Sequence, residues 1–389
     1  MLDDKFLPGA KVQQKWERKK YLHYLCTIFT YDNNKKKNMN MNTYTNDAVE
    51  LLKLLIATPS ISRDEAKAAD IMEDTLAAYG MDSNRHKNNV WAIAPNYDET
   101  KETILLNAHI DTVKPVKTWI RNPYCPCTEG DKLYGLGSND CGGGLVSLLQ
   151  VFRILAEKED RGYNLIYLAS AEEEVSGAEG ISSVLPMLPE INVAIVGEPT
   201  GMQPAVAEKG LMVLDITAHG KSGHAARGEG VNAIYEALDD LCWLRSYRFK
   251  RVSEFLGPTV MNVTVINAGT QHNVVPDECR IVVDVRTNEL YTNEEVYDFI
   301  CRHLHSDVKA RSFRLHSSGI SMEHPLVRRC LSLGMKPFGS PTLSDQALMP
   351  FDSIKLGPGD SSRSHSADEF IKISEIENAI RTYIEILSA

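Results

Sequence analysis

A chain of 389 residues with 43% hydrophobic and 24% charged residues has the composition of a globular protein large enough for two domains. Its net charge of −10 argues against a general nucleic-acid binder, and no apolar run approaches the roughly 20 residues that cross a bilayer. Eight cysteines with no paired Cys-x-x-Cys spacing fit free thiols in a reducing compartment better than a disulfide framework, so a cytoplasmic enzyme is expected.

Residues 1–45 differ from the rest, with nine Lys or Arg against four acids. The apolar run at residues 21–31 follows Arg18-Lys19-Lys20 as a signal peptide would, but it contains His23, runs into Asp32-Asn33-Asn34-Lys35 and lacks a small-residue cleavage site. Cys26 follows the bulky Leu25, where a lipoprotein signal needs a small residue. The segment reads as a disordered extension or a start assigned too early, with Met39 or Met41 as the true start; export is the alternative.

Asp47 with Glu50 three places later predicts an N-cap, and apolar residues at helical spacing carry that helix to Ile56, before Pro59. A second helix is expected over residues 65–79, ending at Gly80. Strands follow at residues 90–94 and 103–108, and Gly142-Gly143-Gly144 opens a helix over residues 145–155. Short apolar strands at residues 164–169 and 193–196 complete an alternation of strand and helix, which predicts an α/β layer with a mixed, mostly parallel sheet flanked by helices.

The pattern changes after Glu208-Lys209-Gly210. Residues 211–218 alternate as a half-buried strand, with Met212, Leu214, Ile216 and Ala218 on one face. A helix (231–243), strands (259–266 and 279–286) and another helix (293–305) suggest an inserted α+β sandwich. From about residue 317 the α/β character returns, with a strand at 353–356 and a last helix at 374–387. The expected organisation is a catalytic domain in two parts, residues 46–208 and 317–389, around an inserted domain at residues 209–316.

Five apolar segments run into groups that bind metals. The strand ending in Asn107-Ala108-His109-Ile110-Asp111 places His109 and Asp111 on one side of an extended chain. Asp140 directly precedes the three glycines, Glu172-Glu173-Glu174 closes another strand, Glu198 closes the next, and Leu356-Gly357-Pro358-Gly359-Asp360 leads to His365. Each segment alone is as well explained by a helix cap or a solvated loop. Together they would converge at one edge of a parallel sheet, where such folds place their ligands. Two histidines and three carboxylates suit zinc or a similar divalent ion, and five ligands suit two ions sharing a carboxylate better than one. Such a pair activates a water and polarises a carbonyl, while one of the neighbouring glutamates removes the water's proton.

These motifs resemble those of the dizinc hydrolases that include acetylornithine deacetylase, succinyl-diaminopimelate desuccinylase, aminoacylase and carboxypeptidase G. The resemblance runs from about Asp47 to the end of the chain. It implies His109, Asp140 and Glu198 on one metal, Asp140, Glu174 and His365 on the other, Asp111 as the partner orienting His109, and Glu173 as general base. It also implies two zinc ions, with cobalt as the alternative, and a homodimer. The inserted module resembles the family's lid and dimerisation domain. Ala218-His219-Gly220-Lys221-Ser222-Gly223-His224-Ala225 is similar to the loop whose histidine, here His224, reaches a substrate oxyanion across the dimer. Asn273 and Arg286 match its substrate-contacting edge, and a planar guanidinium suits a substrate carboxylate. The chain departs from the family pattern after Asp140, where Cys141-Gly142 replaces a residue followed by Lys-Gly. Cys141 reads as a packing residue, with a soft ligand or nucleophile as the alternative.

Glu198-Pro199-Thr200 followed by Ala205-Val206-Ala207-Glu208-Lys209-Gly210 is most similar to the acetylornithine deacetylase branch. The expected reaction is removal of an acetyl or succinyl group from ornithine for arginine synthesis, with no nucleic-acid or membrane partner. Succinyl-diaminopimelate, an N-acyl-lysine or a dipeptide are alternative substrates. A non-catalytic protein binding metal or amino acid is the alternative of another class.

Overall fold

The computed structural model describes residues 40–388, so the reading of residues 1–45 lies outside the described residues except for its last six. Those six already belong to the fold. Asn40 caps a helix over Met41–Ile56, its side chain accepting from Thr43 N at 3.1 Å. The predicted cap at Asp47 is corrected accordingly. Asp47 lies inside this helix, buried, with its carboxylate 2.8 Å from an Arg153 guanidinium nitrogen, so the acid that looked like a cap is half of an interior ion pair.

The chain divides into two compact units. The first takes the described residues up to Ala205, Ser321–Pro337 and the described part of Met349–Ala389. Its strands lie in the order Asn84–His86, Asn89–Ile93, Asn164–Ser170, Thr103–His109, Val193–Val196 and Asp352–Lys355. The last four pair in parallel, and the Asn84–Ile93 hairpin is antiparallel at one side. The fold is therefore α/β with a mixed, mostly parallel sheet, as the alternation of apolar strands and helices predicts. Asn164–Ser170 is buried along its whole length, which a strand covered on both faces requires.

Helices Met41–Ile56, Gly143–Ala156 and Ile373–Leu387 pack on one another, and Gly143–Ala156 also rests on the two central strands. That helix is buried almost all round, consistent with its apolar run of Leu145, Val146, Leu148, Leu149, Val151 and Phe152. Its first turn needs glycine, because a Cβ on Gly144 would collide with the carbonyl of Gly197. The close approach presses the helix start against the strand exit that leads to Glu198. A sheet of three-residue strands, Cys127–Glu129, Lys132–Tyr134 and Phe370–Lys372, was not foreseen, since strands this short leave no period to read.

Register levels the ends of the parallel strands. His109 pairs with Ser170, Asn107 with Val196, and Val196 with Lys355. The segments leaving these strands toward Glu173, Glu198 and Asp360 consequently start from one edge of the sheet.

The second unit holds Val206–Ile320 and Phe338–Leu348. Its antiparallel sheet has the order Val260–Ala268, Glu278–Arg286, Met212–His219, Asp307–Ala310. Met212, Leu214, Ile216 and Ala218 pack with Ile281, Val283 and Val285 beneath helices Ala233–Ser246 and Asn293–Cys301. The expected boundary at residue 317 needs correction, because Phe338–Leu348 returns to this unit. Phe338–Ser340 pairs with Ala205–Glu208, and the buried Glu208 carboxylate accepts from Ser344 N and Oγ at 2.9 and 2.7 Å. Among the described residues no helix is long and apolar enough to cross a membrane.

Candidate metal centre

At the level edge of the first unit's sheet the expected ligands meet. His109 is buried at the end of its strand. Its Nδ1 lies 2.9 Å from the backbone oxygen of Asp111 and donates to it, which turns Nε2 toward the acids. Nε2 is 3.4 Å from Asp140 Oδ1, 3.5 Å from Glu198 Oε1 and 3.9 Å from Glu173 Oε2. On the other side His365 Nε2 is 3.5 Å from Asp140 Oδ2 and 3.0 Å from Glu174 Oε2. Asp140 thus presents one oxygen to each histidine, the disposition expected of a carboxylate shared between two ions.

The three consecutive acids divide. Glu172, at φ 56°, turns its carboxylate back into the following turn, where it accepts from Glu179 N at 3.3 Å. Glu173 faces His109, and Glu174 faces His365. Asp111 holds this arrangement from below: its carboxylate accepts from Glu173 N at 3.0 Å, Glu174 N at 3.2 Å and Ser62 Oγ at 2.7 Å. Its Oδ1 is 3.6 Å from His109 Nδ1, beyond a hydrogen bond. Asp111 therefore sets the histidine's tautomer through its carbonyl, and its carboxylate holds the backbone of Glu173 and Glu174.

The electrostatics are those of a site built for cations. Burial, reinforced by the charge of Asp140, pushes the Glu198 carboxyl up to about 8. The hydrogen bond to Glu174, against some desolvation, raises His365 to about 9. Burial disfavours a charged His109, but Cys141, Asp140 and Glu173 together outweigh it and its affinity for a proton rises. Glu198 Oε1 is buried and makes no hydrogen bond among the described residues. An unpaired buried carboxylate oxygen is costly unless a ligand completes it. His109, Asp140 and Glu174 offer ligand atoms within 4.8 Å of one another. The donor set of imidazole and carboxylate fits divalent ions.

Cys141 is buried and receives the His109 N–H at its sulfur, 3.2 Å away, with burial raising its thiol pKa. Its Sγ and ligand atoms of His109 and Glu198 all lie within 4.8 Å of one another, so the soft-ligand alternative keeps a geometric basis. Arg363 clamps the serine-rich loop before His365 by pairing with both Glu375 oxygens at 2.8 and 3.0 Å and lying over the Phe370 ring.

Residues 206–310 match the profile of the Peptidase dimerisation domain, and residues 89–196 that of Peptidase family M28. The acetylornithine deacetylase of Proteus mirabilis is 30% identical over 87% of this chain and 95% of its own. The chain belongs to the M20 family of metallohydrolases. The M28 match ends before Glu198 and His365, so it covers only part of the cluster. Among solved M20-like folds, aminopeptidase PepT from Bacillus cereus has a TM-score of 0.71 at 18% identity, covering 90% of this chain and 98% of its own. The Bacillus subtilis YXEP protein, a dinuclear metal-binding peptidase of the M20 family, has a TM-score of 0.68 at 16% identity, with 89% and 98% covered.

The other expected site residues lie in the second unit of this M20 hydrolase. Gly223–His224 pairs with Val274–Val275, His224 opposite Val274, and Ala225 N donates to the Asn273 carbonyl at 3.1 Å, so the segments carrying His224 and Asn273 run together. Arg286 ends its strand in a two-point pair with Asp284, at 2.8 and 3.1 Å. A substrate carboxylate at Arg286 would compete with that acid. Sequence reasoning assigned nothing to Asn139 and Glu369, which join the Asp140 and His365 segments. One neighbours Asp140 and the other follows His365 by four residues, but only the fold shows what they bind.

Proposed function

We propose that this M20 hydrolase deacylates an N-acyl amino acid, N-acetyl- or N-succinylornithine, releasing ornithine for arginine synthesis. The observation that supports this most is the 30% identity to an acetylornithine deacetylase across 95% of that protein, with the complete ligand set and general base in this chain. His109, Asp140 and Glu198 would hold one ion, and Asp140, Glu174 and His365 the other. When bound, two divalent ions, zinc or cobalt, supply Lewis acidity to the amide carbonyl and make water a better acid. Glu173, its backbone N–H fixed by Asp111, takes a proton from the attacking water and returns it to the leaving amine. His224 of one copy would reach across the dimer and donate to the oxyanion in the other as the carbonyl becomes tetrahedral. Asn273 and Arg286 hold the amino-acid end of the substrate.

The working form is a homodimer in the cytoplasm. Val263 and Ile266 pair with Val283 and Ile281, so they share the helix-covered face of the sheet. They nevertheless remain 36% and 50% exposed, beside the exposed Tyr235 and Leu238 of the Ala233–Ser246 helix. An edge strand with this much uncovered apolar surface is a pairing surface.

Amine release from a panel of N-acetyl- and N-succinyl-ornithine, N-acyl-lysine, N-succinyl-diaminopimelate and dipeptides tests the reading. Hydrolysis of an N-acylornithine is expected, lost with chelator and restored by zinc. Preference for another member of the panel overturns the substrate, and no release from any member favours the non-catalytic alternative.

A further inference from the structure

Glu369 is buried, with 2% of its surface exposed, in the segment that follows His365. Its carboxylate reaches across to the loop carrying Asp140. Oε2 accepts from Gly137 N at 3.0 Å, and Oε1 accepts from Asn139 N at 2.8 Å and Asp140 N at 2.9 Å. The loop answers through Asn139, whose side chain donates to Asp360 O at 3.0 Å and Ser364 Oγ at 3.4 Å and accepts from Asp360 N at 3.0 Å. Each of the two segments thus anchors the other by side chain to backbone.

The choice of a carboxylate is informative. Three N–H groups converge on one side chain, and only a group with two acceptor oxygens and no donor meets all of them. A glutamine would turn an NH2 toward an N–H. A buried negative charge beside an acidic cluster is costly in itself, and the three N–H donors offset that cost. The lacing serves Asp140, whose two oxygens face different histidines, at 3.4 and 3.5 Å. A small rotation of the 137–140 loop would spoil both contacts together.

We propose that Glu369, assisted by Asn139, is a positioning residue that sets the shared carboxylate Asp140 and thereby the affinity of both ion positions. This rests on the reading of Asp140 as a metal ligand, so Asp140→Ala is the reference variant. The experiment is a competition titration of the full-length apoprotein with zinc against a chelating indicator, far below the melting temperature. It is paired with kcat and KM at saturating zinc. Outer partners of metal ligands typically change affinity by about 10- to 100-fold, and a loss of that size is expected in Glu369→Gln. Glu369→Asp, which keeps both acceptor oxygens on a shorter stem, should recover part of it. At saturating zinc kcat falls while KM stays within about twofold, since no substrate contact is removed. A residue that only stabilised the fold would lower the melting temperature and leave zinc affinity unchanged. Zinc binding of wild-type strength in Glu369→Gln, with binding lost in Asp140→Ala, overturns the proposal and leaves the ligand reading standing. Wild-type binding in Asp140→Ala overturns the ligand reading itself. Should Glu369→Gln fail to fold, Asn139→Ala decides: weakened zinc binding supports the lacing, and unchanged binding overturns it.

Discussion

The two sheets of this molecule put their surfaces to opposite uses. In the first unit the parallel strands are sealed on both faces, and what they offer is an end, where His109, Glu173, Glu174 and Glu198 emerge at one level. In the second unit the antiparallel sheet is covered on one face, and what it offers is an edge, Val260–Ala268, with apolar side chains left uncovered. Chemistry gathers at the end because converging exits bring charges together that no single strand could hold. The proposed association would use the edge, because unpaired backbone groups there can accept another strand. The difference teaches that clustered buried acids in the first unit favour a cation, whereas uncovered apolar surface in the second favours an apolar partner.

The sharpest way to break the comparison is at Glu173. Glu173→Ala should lower turnover by about 10²- to 10⁴-fold, the usual contribution of a general acid–base, while the metal content of the purified protein stays that of the wild type. Loss of metal together with activity would make Glu173 a ligand and would remove the division of labour among the three acids.

A second, smaller effect is the competition of protons with ions at the strand ends. The hydrogen bond to Glu174 raises His365 to about 9 and burial raises Glu198 to about 8, so without metal both bind protons more tightly than the free groups do. Ligands must be deprotonated, and ion binding therefore releases protons. Affinity should fall as pH drops below these values, by about tenfold per pH unit for each proton displaced. Zinc titrations at about pH 6 and about pH 8, with proton release followed in weak buffer, measure it. An affinity independent of pH in that range would mean that the apo cluster does not hold the protons its geometry demands.

The sequence shows these two halves to different depths. Strand-end placement of His109, Glu174 and Glu198 is legible because each follows an apolar run, and the alternation at residues 212–218 marks the covered face directly. Asp140, by contrast, lies in the Ser138–Gly142 segment behind a strand of the small sheet, and His365 in the loop beyond Ser361–Arg363, so only the fold brings them to the same edge. Asp47 misleads, because an acid followed by Glu three places later reads as a cap whether or not the helix begins there, and its buried partner Arg153 is 106 residues away. The return of Phe338–Leu348 to the second unit depends on the distant contact of Ser344 with Glu208, which no local pattern announces. The roles of Glu369 and of the Asp111 carboxylate are hidden for the same reason. Both bind backbone N–H groups, which every residue carries, so the partners leave no mark in the sequence.

The smallest expected effect separates edge from core. Ile266 is 50% exposed on the edge strand, on the face that its partner Ile281 buries beneath the helices. A lysine there removes little packing from a single chain, because half the side chain already meets solvent, and surface changes of this kind stay within about 0.5 kcal/mol. The same lysine places a charge where a second copy would lay its own apolar edge, the device by which natural edge strands resist pairing. Ile266→Lys should therefore sediment as a monomer while its unfolding midpoint, compared at concentrations where both proteins are monomeric, barely moves. A variant that remains dimeric would show that association uses another surface. One that loses several kcal/mol of stability would show that Ile266 belongs to the core after all, and the contrast between a sealed sheet with a reactive end and an open sheet with an adhesive edge would fail at its second term.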